Sequence, residues 1–443
     1  MKNPCFRLCD AITDRDLSSL SHLLQGFKAD DELSRDHARL ALNTAAQLNF
    51  LEGADMLMKA GVDPNWSSAT ARYIPLTISA EKGHEEMLKL LLEYGAHVNS
   101  YTSHGITALH RAVQNNHKSC INVLVSHGAD CNAADATGAT PICYAARHRG
   151  TANLNLLLKH CKKPKLNYTT SANTNPLMYA VEQNEPEKVT LLLSRGADPN
   201  FKDKWNKVTP LQLACMHGYH QIAEILIQAR ANINYLNTNH TSPLMNAAGE
   251  HHEQCVSLLI SHGTDVNLTN DSKIKRKTPI MYAAKTNNVN IMKQLVEAGG
   301  DVNRQDHLGE TSLHIAAKHG CDKNVEYLLN HGANPNITDN KGFTALFEVV
   351  KKTSQTHHRI AKTLIQYNTS LEKKGRELFE YNKPPLTVFD VALRANNVLA
   401  IKMLIIAGCN LRELHKRCPN GILLVLLKKK HPDVYDIFAA MIS

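Results

Sequence analysis

Histidine and cysteine are the residue types in this chain that could support chemistry, and their spacing argues against catalysis. The 443 residues include 24 histidines and 11 cysteines. His-Glu pairs at 84–85 and 252–253 begin like a zinc-protease helix, but neither is followed by the second histidine of that motif. The His-His pairs at 251–252 and 357–358 lack further ligands at a convergent spacing. We therefore predict no catalytic residue, no metal site and no cofactor.

The cysteines stand singly along the chain and match no disulfide framework. Cys143, Cys215 and Cys255 fall where a small apolar side chain packs, and free cysteine behaves as one. Cys5 and Cys9 are one helical turn apart without further ligands. No apolar run is long enough to span a membrane, and the N-terminus lacks the apolar segment of a secretory signal. These features predict a reduced, cytoplasmic protein, with the nucleus as a further location.

The charge balance is mildly basic and does not favour a nucleic-acid binder. Lys and Arg number 50 and Asp and Glu 41, which leaves a formal charge of +9 and a pI near 8.9. Basic runs lie at 159–165, 272–277 and 427–431. Solvated turns are the simplest interpretation of these runs, and a surface for an acidic partner, a phosphoinositide or RNA is the alternative.

A repeat of 33–36 residues runs through most of the chain. Its first phrase is Gly-x-Asp-x-Asn or a close variant, which ends at Asn65, Asn99, Asn132, Asn167, Asn200, Asn234, Asn267, Asn303 and Asn336. Its second phrase, Thr-Pro-Leu-His or a variant, occupies 74–77, 107–110, 140–143, 175–178, 209–212, 242–245, 278–281, 311–314 and 344–347. A fixed period of this length is typical of stacked repeat proteins.

The second phrase predicts a helix start, because a Thr or Ser hydroxyl caps free backbone amides and Pro suits the first turn. Ala-Ala pairs at 145–146, 247–248, 283–284 and 316–317 would let two helices approach closely. A second apolar segment follows, as at 85–95, and its Gly is suited to a left-handed helix end. Each repeat is therefore predicted to form two helices.

These phrases together resemble the ankyrin repeat family over about residues 35–411. The resemblance implies an all-α repeat solenoid of about eleven repeats, each with two antiparallel helices and a β-hairpin or loop. Residues 1–34 then form a degenerate N-terminal helical cap, and 412–443 form a C-terminal helical tail. The tenth and eleventh repeats are degenerate, and the tenth carries an insert at 351–359 between its helices.

The resemblance also implies where partners bind, since hairpin tips and first helices line the concave face of an ankyrin stack. We predict a non-enzymatic scaffold or adaptor that binds one or more proteins there. Trp205 lies on a tip lengthened by one residue and should project outward as an interface anchor. We place the centre of the partner surface at Trp205, Lys207, Lys275 and Arg276. Comparable tip positions are held by Tyr101, Asn206, Tyr235, Asp306 and His307.

A modification is a further implication of the resemblance. Ankyrin domains can be substrates of an asparaginyl hydroxylase that favours Leu eight residues before the modified Asn. The candidate asparagines here are Asn99, Asn132, Asn200, Asn267, Asn303 and Asn336. The same spacing also follows from the repeat itself, which is the alternative interpretation.

The tail at 412–443 admits two interpretations. Leu414, Cys418 and Ile422 keep part of the spacing with which a SOCS-type box binds elongin. Glu413 replaces the small residue of that box, and Pro419 should break the helix. The simpler interpretation is a cap on the last repeat. The alternative is a substrate-recognition subunit of a cullin-type ubiquitin ligase, which recruits elongin and cullin through this tail.

Overall fold

Short helices arranged in pairs make up the chain. The structure is a computed structural model that describes residues 7–25, 27, 32–66, 73–171, 173–270, 275–376, 385–409, 428 and 435. The first helices of the pairs are α1 (Arg7–Thr13), α3 (Glu32–Leu48), α5 (Pro75–Lys82), α7 (Ala108–Gln114), α9 (Pro141–Arg147), α11 (Pro176–Glu182), α13 (Pro210–His217), α15 (Pro243–Gly249), α17 (Pro279–Ala283), α19 (Ser312–His319), α21 (Ala345–Val350) and α23 (Val388–Arg394).

A second helix follows each of these after a short turn. The second helices are α2 (Leu17–Leu24), α4 (Leu51–Lys59), α6 (Glu85–Glu93), α8 (Lys118–Ser126), α10 (Ala152–His160), α12 (Pro186–Ser194), α14 (His220–Gln228), α16 (Glu253–Ser261), α18 (Val289–Glu297), α20 (Asp322–Asn330), α22 (Gln355–Gln366) and α24 (Val398–Ile406). The pair α1–α2 thus precedes eleven further pairs, which we number as repeats one to eleven. The all-α repeat architecture expected from the sequence is confirmed.

The chain divides into two units by its internal contacts. The first unit comprises the residues up to Leu213 together with Ile225–Ala231, and the second comprises Ala214–Glu224 and the residues from Asn232 onward. Within each unit, first helices pack on the first helices of neighbouring repeats, as α5 does on α7 and α19 on α21. Second helices pack on second helices in the same way, as in α6 on α8 and α18 on α20. Two layers of helices therefore run through each unit.

Local capping explains where the first helices begin. The Thr107 and Thr311 hydroxyls each accept a hydrogen bond from the backbone N–H three residues later. Asn175 does the same with its side-chain oxygen at the start of α11, where Pro176 takes the first turn. These bonds satisfy N–H groups that have no partner inside the helix. The helix starts predicted from the second phrase are therefore confirmed.

Small side chains lie where the helices of a unit meet. Both alanines of the pairs at 145–146, 247–248, 283–284 and 316–317 are at most 1% exposed. Leu, Ile and Met side chains beside them complete an aliphatic core. In the tenth repeat the structure differs from expectation, since α22 begins at Gln355 inside the predicted insert and Ser354 caps it. The insert is thus largely an additional turn of helix.

Candidate partner-binding surface

A short loop precedes the first helix of most repeats, and one polar side chain closes it. Asp135 shows the pattern: its Oδ1 accepts from the N–H groups of Thr137 and Ala139, at 2.8 and 2.9 Å. Its own N–H donates to the Ala139 carbonyl at 2.9 Å. Equivalent backbone bonds span four residues from Thr102, Thr170, Asn237, Asp306 and Asp339. We call these loops the hairpin tips.

This closing residue was not predicted from the sequence. It stands five residues before the Thr, Ser or Asn that caps the first helix, so its fixed phase in the repeat could have revealed it. Asp306 is one of these closing residues, although the sequence predicted it to be a partner-binding tip residue. It is 4% exposed, and its Oδ1 accepts from the N–H groups of Leu308 and Glu310. Asp306 therefore shapes the tip from inside and presents no surface to a partner.

The tip of the sixth repeat is longer and carries an exposed tryptophan. The Asp203 N–H donates to the Val208 carbonyl at 3.1 Å, which closes a loop one residue longer than that at Asp135. Trp205 is 70% exposed at its apex. Asn206 and Lys207 beside it are also exposed, and Lys207 has a positive φ of 55°. The extra residue thus accommodates a turn that projects the indole into solvent.

Three tyrosines near other loops of the first unit are exposed in the same way. Tyr101 is 71% exposed, Tyr168 59% and Tyr73 55%. Of the three, only Tyr101 was predicted from the sequence. Tyr168 and Tyr73 adjoin the repeat phrases at Asn167 and Ile74, and this position was the signal that could have revealed them. We call Tyr73, Tyr101, Tyr168 and Trp205 the aromatic tips. Tyr235, which the sequence analysis also proposed, lies in the second unit and is half-buried.

A pocket lies between the tips of the third and fourth repeats, and several polar side chains contribute to its lining. Its volume is about 400 Å³, and Tyr73, Thr102, Arg111 and Tyr144 are among the residues that line it. The Arg111 Nε lies 3.3 Å from a Glu81 carboxylate oxygen. The Tyr144 hydroxyl donates to Asp135 Oδ2 at 2.9 Å, and burial and this bond raise the pKa of Tyr144 to about 12. The pocket therefore offers a neutral phenol and a partly neutralised guanidinium to a polar side chain.

Lys275, Arg276 and His307 lie on neighbouring tips of the second unit. Lys275 and Arg276 are exposed, whereas His307 is half-buried. The His307 backbone N–H donates to the Lys275 carbonyl at 3.2 Å, and its Nδ1 lies 3.0 Å from the same oxygen. His307 thus links two tips. Because Trp205 belongs to the first unit, a joint surface of Trp205, Lys275 and Arg276 stays a prediction.

The asparagine that ends each first phrase joins its repeat to the next. Asn303 Nδ2 donates to the Gly332 carbonyl at 2.9 Å, and its Oδ1 accepts from the Asn334 N–H at 2.7 Å. The Nδ2 group likewise donates to a carbonyl of the following repeat in Asn99, Asn132, Asn200, Asn267 and Asn336. The six asparagines therefore have a structural role, and their hydroxylation stays a prediction.

Two buried histidines each bond to the residue that caps their helix and to a carbonyl of the next repeat. His314 Nδ1 accepts from the Thr311 N–H at 3.2 Å, so its Nε2 carries the proton and donates to the Phe343 carbonyl at 3.1 Å. His110 makes the same contacts with Thr107 and with the Ala139 carbonyl. Burial lowers the pKa of both histidines. These imidazoles are held in the neutral form.

The paired histidines and the buried cysteines also have structural partners. His357 Nδ1 lies 2.6 Å from the Ser354 hydroxyl, and His358 Nε2 lies 2.8 Å from Asn397 Oδ1. Cys215 and Cys255 are fully buried, and their mutual contact together with burial raises the pKa of Cys215 well above its ordinary range. Among the described residues, no three His, Cys, Asp or Glu side chains converge to hold a metal ion.

Comparison with known families identifies the repeat. A family model for ankyrin repeats (3 copies) matches residues 42–135, 133–203, 177–270 and 265–339. The chain belongs to the ankyrin repeat family. Ankyrin repeats generally mediate protein–protein interaction, and the ankyrin fold is typically a non-enzymatic module.

Curated relatives match parts of this ankyrin chain. An ankyrin repeat protein of fowlpox virus (strain NVSL) is 32% identical over 165 residues, which cover 37% of this chain and 47% of the relative. The nuclear factor NF-kappa-B p105 subunit of Gallus gallus is 31% identical over 190 residues, which cover 39% of this chain and 19% of the relative. The chain thus spans less than half the length of these relatives.

A solved structure aligns with about half of the chain. The ankyrin repeat domain of Bcl-3, described as a member of the IkappaB protein family, matches with a TM-score of 0.46 and 23% identity. The match covers 51% of this chain and 98% of that domain. In the ranges that the structure describes, no helix combines the length and apolar character that crossing a membrane requires. Leu414, Cys418 and Ile422 of the candidate adaptor box lie outside the described residues.

Proposed function

We propose that this ankyrin chain is a non-enzymatic adaptor that binds a protein partner through the aromatic tips of its first unit. The observation that carries the proposal is the exposure of Tyr73, Tyr101, Tyr168 and Trp205, each more than half accessible to solvent. Aromatic side chains dominate the energetic centres of protein interfaces, because a large rigid ring buries much surface at little entropic cost.

The loops that carry Tyr101, Tyr168 and Trp205 are suited to binding without reorganisation. Thr102 and Thr170 close the tips beside Tyr101 and Tyr168 through backbone bonds of 3.0 Å. Asp203 closes the tip of Trp205 with both its backbone N–H and its carboxylate. A loop already held in one conformation loses less entropy on binding. The pocket between the third and fourth repeats would receive a polar side chain of the same partner.

Asn206 and Lys207 complete the proposed site in the first unit, since they are exposed and adjoin Trp205. Lys275 and Arg276 extend it if the partner also reaches the second unit. The half-buried Tyr235 and His307 would contribute only their accessible edges. We therefore propose the Trp205 tip as the centre of the surface in the first unit.

Site-specific photo-crosslinking tests the proposal. A benzophenone amino acid is placed at 205, at 101 or, as a control, at the exposed position 93 on the second helix of its repeat. We expect the same partner protein to crosslink at 205 and 101 and not at 93. The Trp205→Ala, Tyr101→Ala double variant should bind that partner at least about tenfold more weakly, because a hot-spot ring contributes about 2 kcal/mol.

Folding of the double variant is checked separately. Since both rings are exposed, the temperature of its thermal unfolding should be unchanged. A partner that crosslinks equally at 93, or that binds the double variant with unchanged affinity, would place the interface elsewhere and overturn the proposal.

The ubiquitin-ligase interpretation is a second candidate, favoured only by the spacing of Leu414, Cys418 and Ile422. If it holds, the aromatic tips read a substrate and the tail recruits elongin and cullin. The full chain should then co-purify with both, and a Leu414→Ala, Cys418→Ala variant should lose them while keeping the partner at the aromatic tips. Equal recovery of elongin by both chains, or none by either, would exclude this candidate.

A further inference from the structure

The second helix of the eleventh repeat, α24, is apolar on every side. Within its range Val398–Ile406, Lys402 is the one polar residue. The inner face of the helix is buried, as at Ile401 and Leu404. Leu399 and Ile406, however, are 56% and 79% exposed. This exposure calls for an explanation, because a helix that is apolar all round is normally buried all round.

The two exposed residues stand where the earlier repeats have polar side chains. Ile406 is the last residue of α24, and in each of repeats one to ten the last residue of the second helix is polar and exposed, as are Glu93 and Ser261. Leu399 lies seven residues earlier, and in the same ten repeats that position is also polar, as at Gln254. Residues seven apart lie on one face of a helix, two turns from each other. We call Leu399 and Ile406 the outer stripe of α24.

The chain that follows α24 contains an apolar segment that could cover this stripe. Residues 422–427 are an unbroken run of six aliphatic side chains, and they lie outside the described residues. The connecting residues 410–421 can span at most about 40 Å. The nine-residue α24 is only about 13 Å long. The run can therefore reach the whole stripe without any movement of the repeats.

We propose that residues 422–427 bind the outer stripe of α24 and bury Leu399 and Ile406. The binding is favourable because it removes apolar surface of both partners from water. A polar side chain at either position, as in the ten earlier repeats, would lose its contact with water and gain no partner of its own kind in this aliphatic run. The departure from the repeat pattern at Leu399 and Ile406 thus matches the composition of the segment.

This contact goes beyond the aromatic tips, which belong to the other unit, and it bears on the ubiquitin-ligase candidate. Ile422 belongs both to the apolar run and to the candidate adaptor box of Leu414, Cys418 and Ile422. A tail bound to α24 buries Ile422 and withholds it from elongin. The outer stripe and elongin would therefore compete for the same side chain.

Photo-crosslinking within the purified full chain tests the inference. A benzophenone amino acid is placed at 406 or, as a control, at 297, the exposed last position of α18. We expect mass spectrometry to find a crosslink from 406 to a peptide that contains 422–427, and none from 297 to that peptide. Mixing isotopically light and heavy chains separates crosslinks within one chain from those between two copies.

A variant copied from the chain's own α16 gives a second test. Leu399→Gln, Ile406→Ser introduces the residue types of Gln254 and Ser261 and leaves the buried face of α24 intact, so the repeat should still fold. Hydrogen exchange at 422–427 should become at least about tenfold faster than in the wild type, because the run loses two apolar contacts. A control variant, Gln254→Ala, Ser261→Ala, changes the same two positions of another repeat and should leave this exchange unchanged.

Three results would overturn the inference. The first is a crosslink from 406 that joins two copies or goes to 437–442 in place of 422–427. The second is the absence of any crosslink from 406 within the chain. The third is equal hydrogen exchange at 422–427 in the wild type and in the Leu399→Gln, Ile406→Ser variant. The crosslinks at 205 and 101 test the aromatic tips separately, so either proposal can fail while the other holds.

Discussion

Protonation of two buried histidines should weaken this protein in mild acid. His110 and His314 each accept a backbone N–H at Nδ1 and donate from Nε2 to a carbonyl of the next repeat. A proton added at Nδ1 would face the threonine N–H, so that two hydrogen-bond donors would meet in a buried site. Because burial lowers the pKa of both groups in the folded state, their contribution to stability is complete above the unfolded pKa. This contribution to stability is lost as the pH falls from the unfolded pKa towards the lower pKa of the folded state.

The size of this effect has an upper limit. A histidine that stays neutral when folded, and has an ordinary pKa of 6.5 when unfolded, costs about 1.4 kcal/mol at about pH 5.5. The two histidines together therefore destabilise the folded state by up to about 2.8 kcal/mol between about pH 7.5 and pH 5.5.

The sixth repeat shows which residue can replace His110 and His314 in a matched variant. Gln212 stands at the same position of the sixth repeat, where its Oε1 accepts the Thr209 N–H at 3.2 Å. A His110→Gln, His314→Gln variant should keep both caps and lose two bonds to carbonyls, at about 1 kcal/mol each at about pH 7.5. The variant should then be less stable than the wild type at that pH, and the difference should shrink or reverse at about pH 5.5.

Hydrogen exchange measured by mass spectrometry tests this locally, which suits a long repeat array whose unfolding is not two-state. Peptides from residues 107–145 and 311–350 of both chains are compared at the same pH, so that intrinsic exchange rates cancel. A His127→Gln variant, changed at an exposed histidine, is the control and should follow the wild type. A difference in protection between wild type and the double variant that stays constant from about pH 7.5 to 5.5 would refute the linkage.

Three further changes test the packing of the repeats. Gly342→Ala should destabilise more than Gly332→Ala in thermal unfolding: both have positive φ, but only at 342 would a Cβ meet a backbone carbonyl, at 2.6 Å. Asn303→Ala should remove two bonds between repeats and lower local stability by about 2 kcal/mol, and unaltered hydrogen exchange in the ninth and tenth repeats would contradict this role. Lys277→Met should leave the Asp306 carboxylate buried without this lysine and lower local stability by about 2 kcal/mol, an expectation that unaltered hydrogen exchange in the eighth and ninth repeats would rule out.

Much of the fold was predictable because the repeat encodes it locally. The Thr or Ser before Pro caps the first helix, and the paired alanines allow close helix contacts whatever lies elsewhere in the chain. The period also placed the lengthened tip at Trp205 correctly. By contrast, part of the expected insert at 351–359 became the first turn of α22, because Ser354 caps a helix there.

Which tip residues face solvent was decided only by the tertiary structure. Asp306 and Lys275 both stand on loops and are both charged, yet one is buried and the other exposed. The difference arises because the Asp306 carboxylate, besides accepting N–H groups of its own tip, faces Lys277 of the preceding repeat at 3.8 Å, whereas the Lys275 ammonium cannot accept hydrogen bonds. The sequence alone determined the helices, their caps and their order, since these depend on neighbours within a few residues. The surface that a partner would meet depends on the packing of one repeat against the next, through contacts about thirty residues apart.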